Sequence, residues 1–298
     1  MRLFKNTQVE FINIRKFGYA ISLTLIAFSI ISLIAHGGPK YNIDFTGGTL
    51  VHLKFENDVK IEKIRSALAT EGHGEAEIKH FGNLKEVSIR TMDQGTTKEE
   101  LSLAIENQIK KTIPDNPFTV QRVEKVGPKI GRELIFQALK AVFWSMVLIL
   151  IYVMWRFEFK FSVGAIVALL HDVTITLGVF SVLNIEISAP IIAAVLTIVG
   201  YSLNDTIVVF DRIRENLKAS KKNLSELAGT VNKSINETLS RTIITSGTTL
   251  IVVLVLYFFG GEVLKTFAFA IIIGIVVGTY SSIFIASPIV VDWKNRKA

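Results

Sequence analysis

Ile198-Val199-Gly200-Tyr201-Ser202-Leu203-Asn204-Asp205-Thr206-Ile207-Val208-Val209-Phe210 reads as the inner half of a membrane helix with a carboxylic acid inside it. A charged side chain at the centre of a bilayer costs roughly 2.5–3.5 kcal/mol on insertion scales. A chain that keeps Asp205 there pairs it, protonates it or uses it. The next residues, Asp211-Arg212-Ile213-Arg214-Glu215-Asn216, are aqueous. At 1.5 Å of rise per residue, Asp205 lies about 9 Å above that boundary. It is deep enough to lose bulk water and shallow enough for a proton to reach.

Six apolar segments frame this helix: Phe17–Ala35, Leu134–Met154, Phe161–Leu183, Ala189–Phe210, Ile243–Phe259 and Leu264–Ser287. Each is long enough to cross a hydrocarbon core of roughly 30 Å, the fifth only just. Arg2, Lys5, Arg15 and Lys16 precede the first segment, and Arg156 and Lys160 separate the second from the third. Arg212, Arg214, Lys218, Lys221, Lys222, Lys233 and Arg241 lie between the fourth and fifth, and Lys294, Arg296 and Lys297 follow the sixth. The opposite short connections hold Lys265, Glu186 and Glu262. All the basic connections fall on one side if both termini are cytosolic, as positive-inside topology requires. The first segment is too long, and Ser32-Leu33-Ile34-Ala35-His36-Gly37 too poor a cleavage site, for a signal peptide, so it is read as a retained anchor.

Composition supports a multi-pass membrane protein. Half the residues are hydrophobic and there is no cysteine, which excludes disulfides and thiolate metal sites. Of the net charge of +7, none comes from 37–133, which holds 15 basic and 15 acidic residues; the other 18 basic and 11 acidic residues carry all of it. Basic cytosolic connections explain the pI of 9.4 without nucleic-acid binding. Three regions are expected: 1–36, a cytosolic terminus and first membrane helix; 37–133, an exported domain; and 134–298, five membrane helices with a cytosolic loop at 211–241 and a cytosolic C-terminus.

The neutral stretch has its own pattern. Thr49–Glu56 alternates as a strand, and residues 61, 64, 67 and 68 have helical spacing. Glu75–Phe81 and Glu86–Thr91 alternate on either side of Gly82-Asn83, a hairpin signal. Thr97–Ile109 opens with a capping threonine and sets Leu101, Ala104, Ile105 and Gln108 on one face, and Phe118–Val126 alternates again. The order β-α-β-β-α-β predicts a ferredoxin-like α+β domain with both helices on one sheet face.

Three readings of Asp205 are compatible with its setting: a carboxylic acid hydrogen-bonded across helices, a charge fixed by Arg241, or a titrating proton carrier. Loss of water favours a neutral acid and a nearby guanidinium favours the carboxylate. An Arg241 that approached and withdrew would therefore change proton affinity; its bland reading is an interfacial anchor. Asn204 is about 100° around the helix from Asp205, so the two cannot face one partner squarely. Asp172, beside His171 and followed by Thr174 and Thr176, is a second intramembrane acid, either in the same polar path or a structural hydrogen bonder. Thr245, Ser246, Thr248 and Thr249 make the inner half of the fifth segment polar. Gly274, Gly278, Ser282 and Ala286 recur every fourth residue, a helix-packing face. Gly127-Pro128-Lys129-Ile130-Gly131-Arg132 lacks the order of a phosphate-binding loop, and the five histidines are scattered, so no nucleotide, cofactor or metal is expected. An ion gradient is the remaining energy source.

The chain resembles the SecF branch of the SecD/SecF family of the bacterial Sec export machinery, related to the resistance-nodulation-division transporters. Tyr41-Asn42-Ile43-Asp44-Phe45-Thr46-Gly47-Gly48-Thr49 is similar to the family motif that follows the first span, and Val123-Glu124-Lys125-Val126-Gly127-Pro128 to the one before the second. Leu170-His171-Asp172-Val173, Val199–Asn216 and Leu239–Thr249 resemble its third-, fourth- and fifth-span signatures. The resemblance implies a complex with SecD, association with SecY, SecE, SecG and YajC, and proton flow that moves unfolded preprotein after the ATP-dependent stage. It places the family's intramembrane acid and arginine at Asp205 and Arg241 and makes the chain a transport accessory, not an enzyme. A small-molecule or lipid efflux subunit of the same superfamily and a passive translocon scaffold are the alternatives; an exported domain this small speaks against the first.

Overall fold

Pro128 starts a helix six residues earlier than hydropathy alone suggests, because proline at the first helical position gives up no hydrogen bond. The computed structural model describes residues 7–70, 75–92, 97–219 and 227–295. Arg2, Lys5, His73, Lys221, Lys222, Arg296 and Lys297 lie outside them. The chain divides into two compact units, Met1–Lys40 with Lys140–Ala298, and Tyr41–Leu139.

The smaller unit begins with a single turn, α2 (Ile43–Thr46), and continues through β1 (Gly48–Phe55), α3 (Ile61–Ala69), β2 (Glu77–Phe81), β3 (Asn83–Thr91), α4 (Lys98–Thr112) and β4 (Phe118–Val126). The sheet order is β2-β3-β1-β4, every neighbouring pair antiparallel. Val51, Leu53 and Phe55 of β1, Ile78 of β2, and Val87 and Ile89 of β3 form one core with Ile64 and Leu68 of α3 and Leu101, Ile105 and Ile109 of α4. The buried stripe of α4 runs 101, 105, 109, so Ile109 takes the place the sequence pattern gives to Gln108, which is only half-buried. Thr97 and Glu100 close a capping box on α4, and the Thr97 amide holds the Glu100 carboxyl below its usual range. The hairpin turns at Gly82, φ 81°, and β3 starts at once, earlier than alternation suggests.

The larger unit carries α1 (Arg15–Ala35), most of α5 (Pro128–Arg156), α6 (Phe159–Val182), α7 (Ala189–Ala219), α8 (Leu227–Phe259), α9 (Gly261–Ser281), a π turn (Ser282–Ala286) and α10 (Ser287–Asn295). Among the described residues, six helices are long and apolar enough to cross a membrane, the last running through the π turn. α6, α7 and α9 form the centre, with α1 against α6 and α8 against α7 and α9.

The segment expected as a loop at 211–241 is helical on both sides. α7 continues to Ala219 and α8 starts at Leu227. Charge there marks water and leaves the helix intact. Ile213, Leu227, Val231 and Ile235 keep an apolar stripe in the core, and Arg212 ties the two helices by its Nε to Glu237 Oε2, 2.6 Å. Asn232 and Asn236, one turn apart on α8, hold the chain before α1. Asn236 donates to the Val9 carbonyl (2.9 Å) and accepts from its amide (3.0 Å); Asn232 donates to the same carbonyl (3.1 Å) and accepts from the Ile12 amide (3.2 Å). Phe11 and Ile12 then bury their side chains in the main core.

Candidate functional site: two buried acids in the helix bundle

Ile198, Ser202, Asp205 and Val209 follow i, i+4, i+7, i+11 spacing, and all four are buried. Asp205 thus lies on the apolar stripe by which α7 packs into the bundle, and it is 2% exposed. Its Oδ2 accepts a hydrogen bond from Ser246 Oγ of α8 at 3.1 Å. Ser246 Oγ is 2.7 Å from Thr279 Oγ1 of α9, so α9 meets the hydroxyl that donates to the carboxylate. A carboxylate, a serine and a threonine from three helices therefore meet at one point.

Arg241 is five residues before Ser246 on α8 and exposed. It acts on Asp205 through space, and among the described residues no ion pair joins them. Asn204 is exposed and lines a polar cleft of about 1420 Å³ with Ile207 and Val208 of α7, Arg241 and Thr245 of α8, and Thr7 and Glu10 of the N-terminal segment. The two neighbours on α7 are thereby divided: Asn204 faces the cleft with Arg241, and Asp205 faces the hydroxyl pair.

Asp172, on α6, is fully buried. Its Oδ1 is 2.7 Å from His171 Nδ1, and its Oδ2 accepts from Ser202 Oγ of α7 (2.6 Å) and Ser281 Oγ of α9 (2.8 Å). His171 Nε2 is 3.0 Å from Ser22 Oγ of α1, and its ring stacks on Tyr280. Tyr280 donates to the Gly18 carbonyl at 2.7 Å. Thr176 donates to the backbone carbonyl of Asp172. Among the described residues, Asp172 and Asp205 share no hydrogen-bond donor, yet α9 donates to Asp172 through Ser281 and meets the Asp205 donor Ser246 through Thr279, and α7 carries both Asp205 and Ser202.

Gly274 and Gly278 lie against α7. A Cβ at 274 would come within 2.3 Å of Ile198, and one at 278 within 3.0 Å of Ser202. Ser282 begins the π turn and donates to the Thr279 carbonyl at 2.9 Å. Asp44, Phe45, Gly47, Gly48, Gly127 and Pro128 gather in the smaller unit. Asn42 accepts from the Asp44 amide (3.0 Å) and Phe45 is buried. Gly47 (φ 76°) and Gly48 (φ 118°) turn the chain into β1, where a Cβ on Gly47 would meet Pro128 at 3.0 Å and one on Gly48 the Thr91 carbonyl at 2.7 Å.

The sequence pattern singles out Asp205, Arg241 and Ser246 but misses Thr279, Ser202, Ser281, Ser22 and Tyr280. A serine in an apolar helix carries no pattern of its own. Only the spacing 198, 202, 205, 209 on α7 offers a signal for Ser202.

The family described as protein export membrane protein SecD/SecF, C-terminal, matches residues 89–296. The protein translocase subunit SecF of Desulfurispirillum indicum is 48% identical over 292 residues, 97% of this chain and 92% of that protein. The subunit of the same name from Vibrio alginolyticus is 46% identical over 282 residues, 94% of this chain and 88% of that one. Among solved structures, SecDF of Thermus thermophilus, a translocon-associated membrane protein, aligns with a TM-score of 0.88 at 43% identity over 98% of this chain. This chain spans 39% of the length of that one. It is a multi-pass membrane protein, and it belongs to the SecD/SecF family of protein export membrane proteins.

Proposed function

We propose that this chain is the SecF subunit of a protein-export complex of the bacterial cytoplasmic membrane, where it uses a proton gradient to promote preprotein movement and release. One observation carries the proton step. Asp205 is buried on a serine–threonine pair while Arg241 stands nearby, unbonded to it, on the wall of a polar cleft. Such a carboxyl has two accessible states, neutral when cut off from water or ionised with the guanidinium close, and a change in the distance to Arg241 switches between them. Asn204, in the cleft, gives a proton or its water carrier a polar step on the way in.

The relatives named protein translocase subunit SecF support the transport role. The partner would be SecD, because SecDF holds more than twice the length matched here. SecY, SecE, SecG, YajC and unfolded preprotein complete the proposed assembly, with the proton as coupling ion and no other cofactor. The smaller unit is read as an exported ferredoxin-like domain. The order β2-β3-β1-β4 and a core shared with α3 and α4 support that reading. Preprotein release from membrane vesicles, measured with the proton gradient intact and after a protonophore, tests the function. Release that does not depend on the gradient leaves a passive scaffold.

Topology is testable separately in this cysteine-free chain. Asp93→Cys should react with an impermeant maleimide added to spheroplasts, and Asn223→Cys only after the membrane is opened. Equal labelling of both from outside contradicts an exported small domain with cytosolic termini.

A further inference from the structure

Three consecutive residues of α9 bear on both buried acids. Thr279 meets Ser246, the donor to Asp205, Tyr280 stacks on His171, and Ser281 donates to Asp172. Residues two apart on a helix point about 200° apart, so this turn can meet Ser246 on one side and Asp172 on the other only in one rotational setting. α7 meets both acids from a single face. Ser202 donates to Asp172, and Asp205 follows it by one turn.

The segment after this turn is not regular α-helix. Ser282–Ala286 is a π turn, and Ser287 Oγ donates to the Ser282 carbonyl at 2.7 Å, across five residues. A π turn breaks the regular ladder and lets the flanking helix take a different rotation. α9 therefore needs something besides its own backbone to fix its angle beside Asp205. The Asp172 carboxylate supplies it: its Oδ2 alone ties α7 to α9 by accepting from Ser202 and Ser281. His171 extends the tie to α1 through Ser22. The titratable groups facing Asp172 are His171 on its own helix and, behind that ring, Tyr280; Arg241 is the charged group acting on Asp205.

We infer that Asp172 is a positioning residue for Asp205: by holding Ser202 and Ser281 it sets the rotation of α9 that keeps the Thr279 hydroxyl on Ser246, the donor to the Asp205 carboxylate. This rests on Asp205 being the proton carrier and removes Asp172 from the path itself. The sequence leaves Asp172 open between the two roles, and its three side-chain partners with no cleft contact favour the positioning role.

A hydrophobic carbodiimide, which modifies protonated carboxyls inside membranes, reads the Asp205 site directly. The full chain, in membranes with its partner, is treated across a pH series and the modified residue is located by mass spectrometry. Ser281→Ala keeps a good helix former and removes one donor. It should raise modification of Asp205 about fivefold, the weight of one net hydrogen bond taken from the carboxylate. Asp172→Asn should do the same. Thr176→Ala removes a buried hydroxyl from α6 that touches only the Asp172 backbone carbonyl, so it should leave Asp205 unchanged. Should all three variants raise modification alike, general loosening of the bundle explains the effect and the positioning role fails. It fails also if Ser281→Ala and Asp172→Asn leave Asp205 as it was while the unaltered chain is modified in a pH-dependent way. Absence of pH-dependent modification in the unaltered chain removes the carrier reading and this inference together.

Discussion

Asp205→Asn should abolish gradient-stimulated export while the chain reaches the membrane at its normal level. The amide has the shape of the acid, and its oxygen still accepts from Ser246, so the three-helix junction keeps its hydrogen bond. It can neither take nor release a proton. One elementary charge moved across 100 mV is worth about 2.3 kcal/mol, which biases a two-state element roughly fiftyfold. Losing that bias should bring vesicle export down to the rate seen with a protonophore. Arg241→Lys should fall between, because an ammonium is a compact point charge without the planar fork of a guanidinium. Full gradient-dependent export by Asp205→Asn would make Asp205 a structural hydrogen bonder.

Gly178→Ala should loosen the packing of the first helix on the bundle. A Cβ at 178 on α6 would lie 2.0 Å from Ser29 Oγ and 2.8 Å from Ser29 Cα on α1. Side-chain rotation clears the hydroxyl, but the clash with the Ser29 backbone clears only if the helices move apart. That movement pulls at Ser32 and Ser181, whose hydroxyls meet at 2.8 Å, and at His171 and Ser22. Overpacking of this kind typically costs roughly 1–3 kcal/mol. The detergent-solubilised variant should aggregate at a clearly lower temperature than the parent, and Ser29→Gly in the same chain should recover part of the loss. Unchanged thermal behaviour would show that α1 sits on α6 with slack.

The spans were legible because hydropathy counts residues, and a bilayer demands about twenty in a row. Phe118–Val126 was legible because alternation survives even at a sheet edge. Asp205 stood out by its cost. What stayed hidden depends on which helices touch. Gly178 belongs to no repeat, while Gly274 and Gly278 sit four apart and announce themselves; all three lie close against a neighbouring helix. Ser281 and Thr279 look like ordinary small polar residues of a packed helix until α6 and α7 are placed beside them. The helical extensions at Asp211–Ala219 and from Leu227 were hidden for another reason. Their charges signal water, and water permits helix and loop alike.

Val9 and Asn232, joined by a hydrogen bond, are 223 residues apart in the chain. A ribosome adding roughly 5–20 residues per second makes Val9 roughly 10–45 s before Asn232. Throughout that interval the backbone around Val9 has neither of its asparagine partners, and the polar cleft has Thr7 and Glu10 without the α8 wall that faces them. The newborn segment around Val9 therefore waits, open to proteases and chaperones, until the fifth membrane helix has been made. A chain cut short before that helix would never gain the two asparagines that hold Val9 and Ile12.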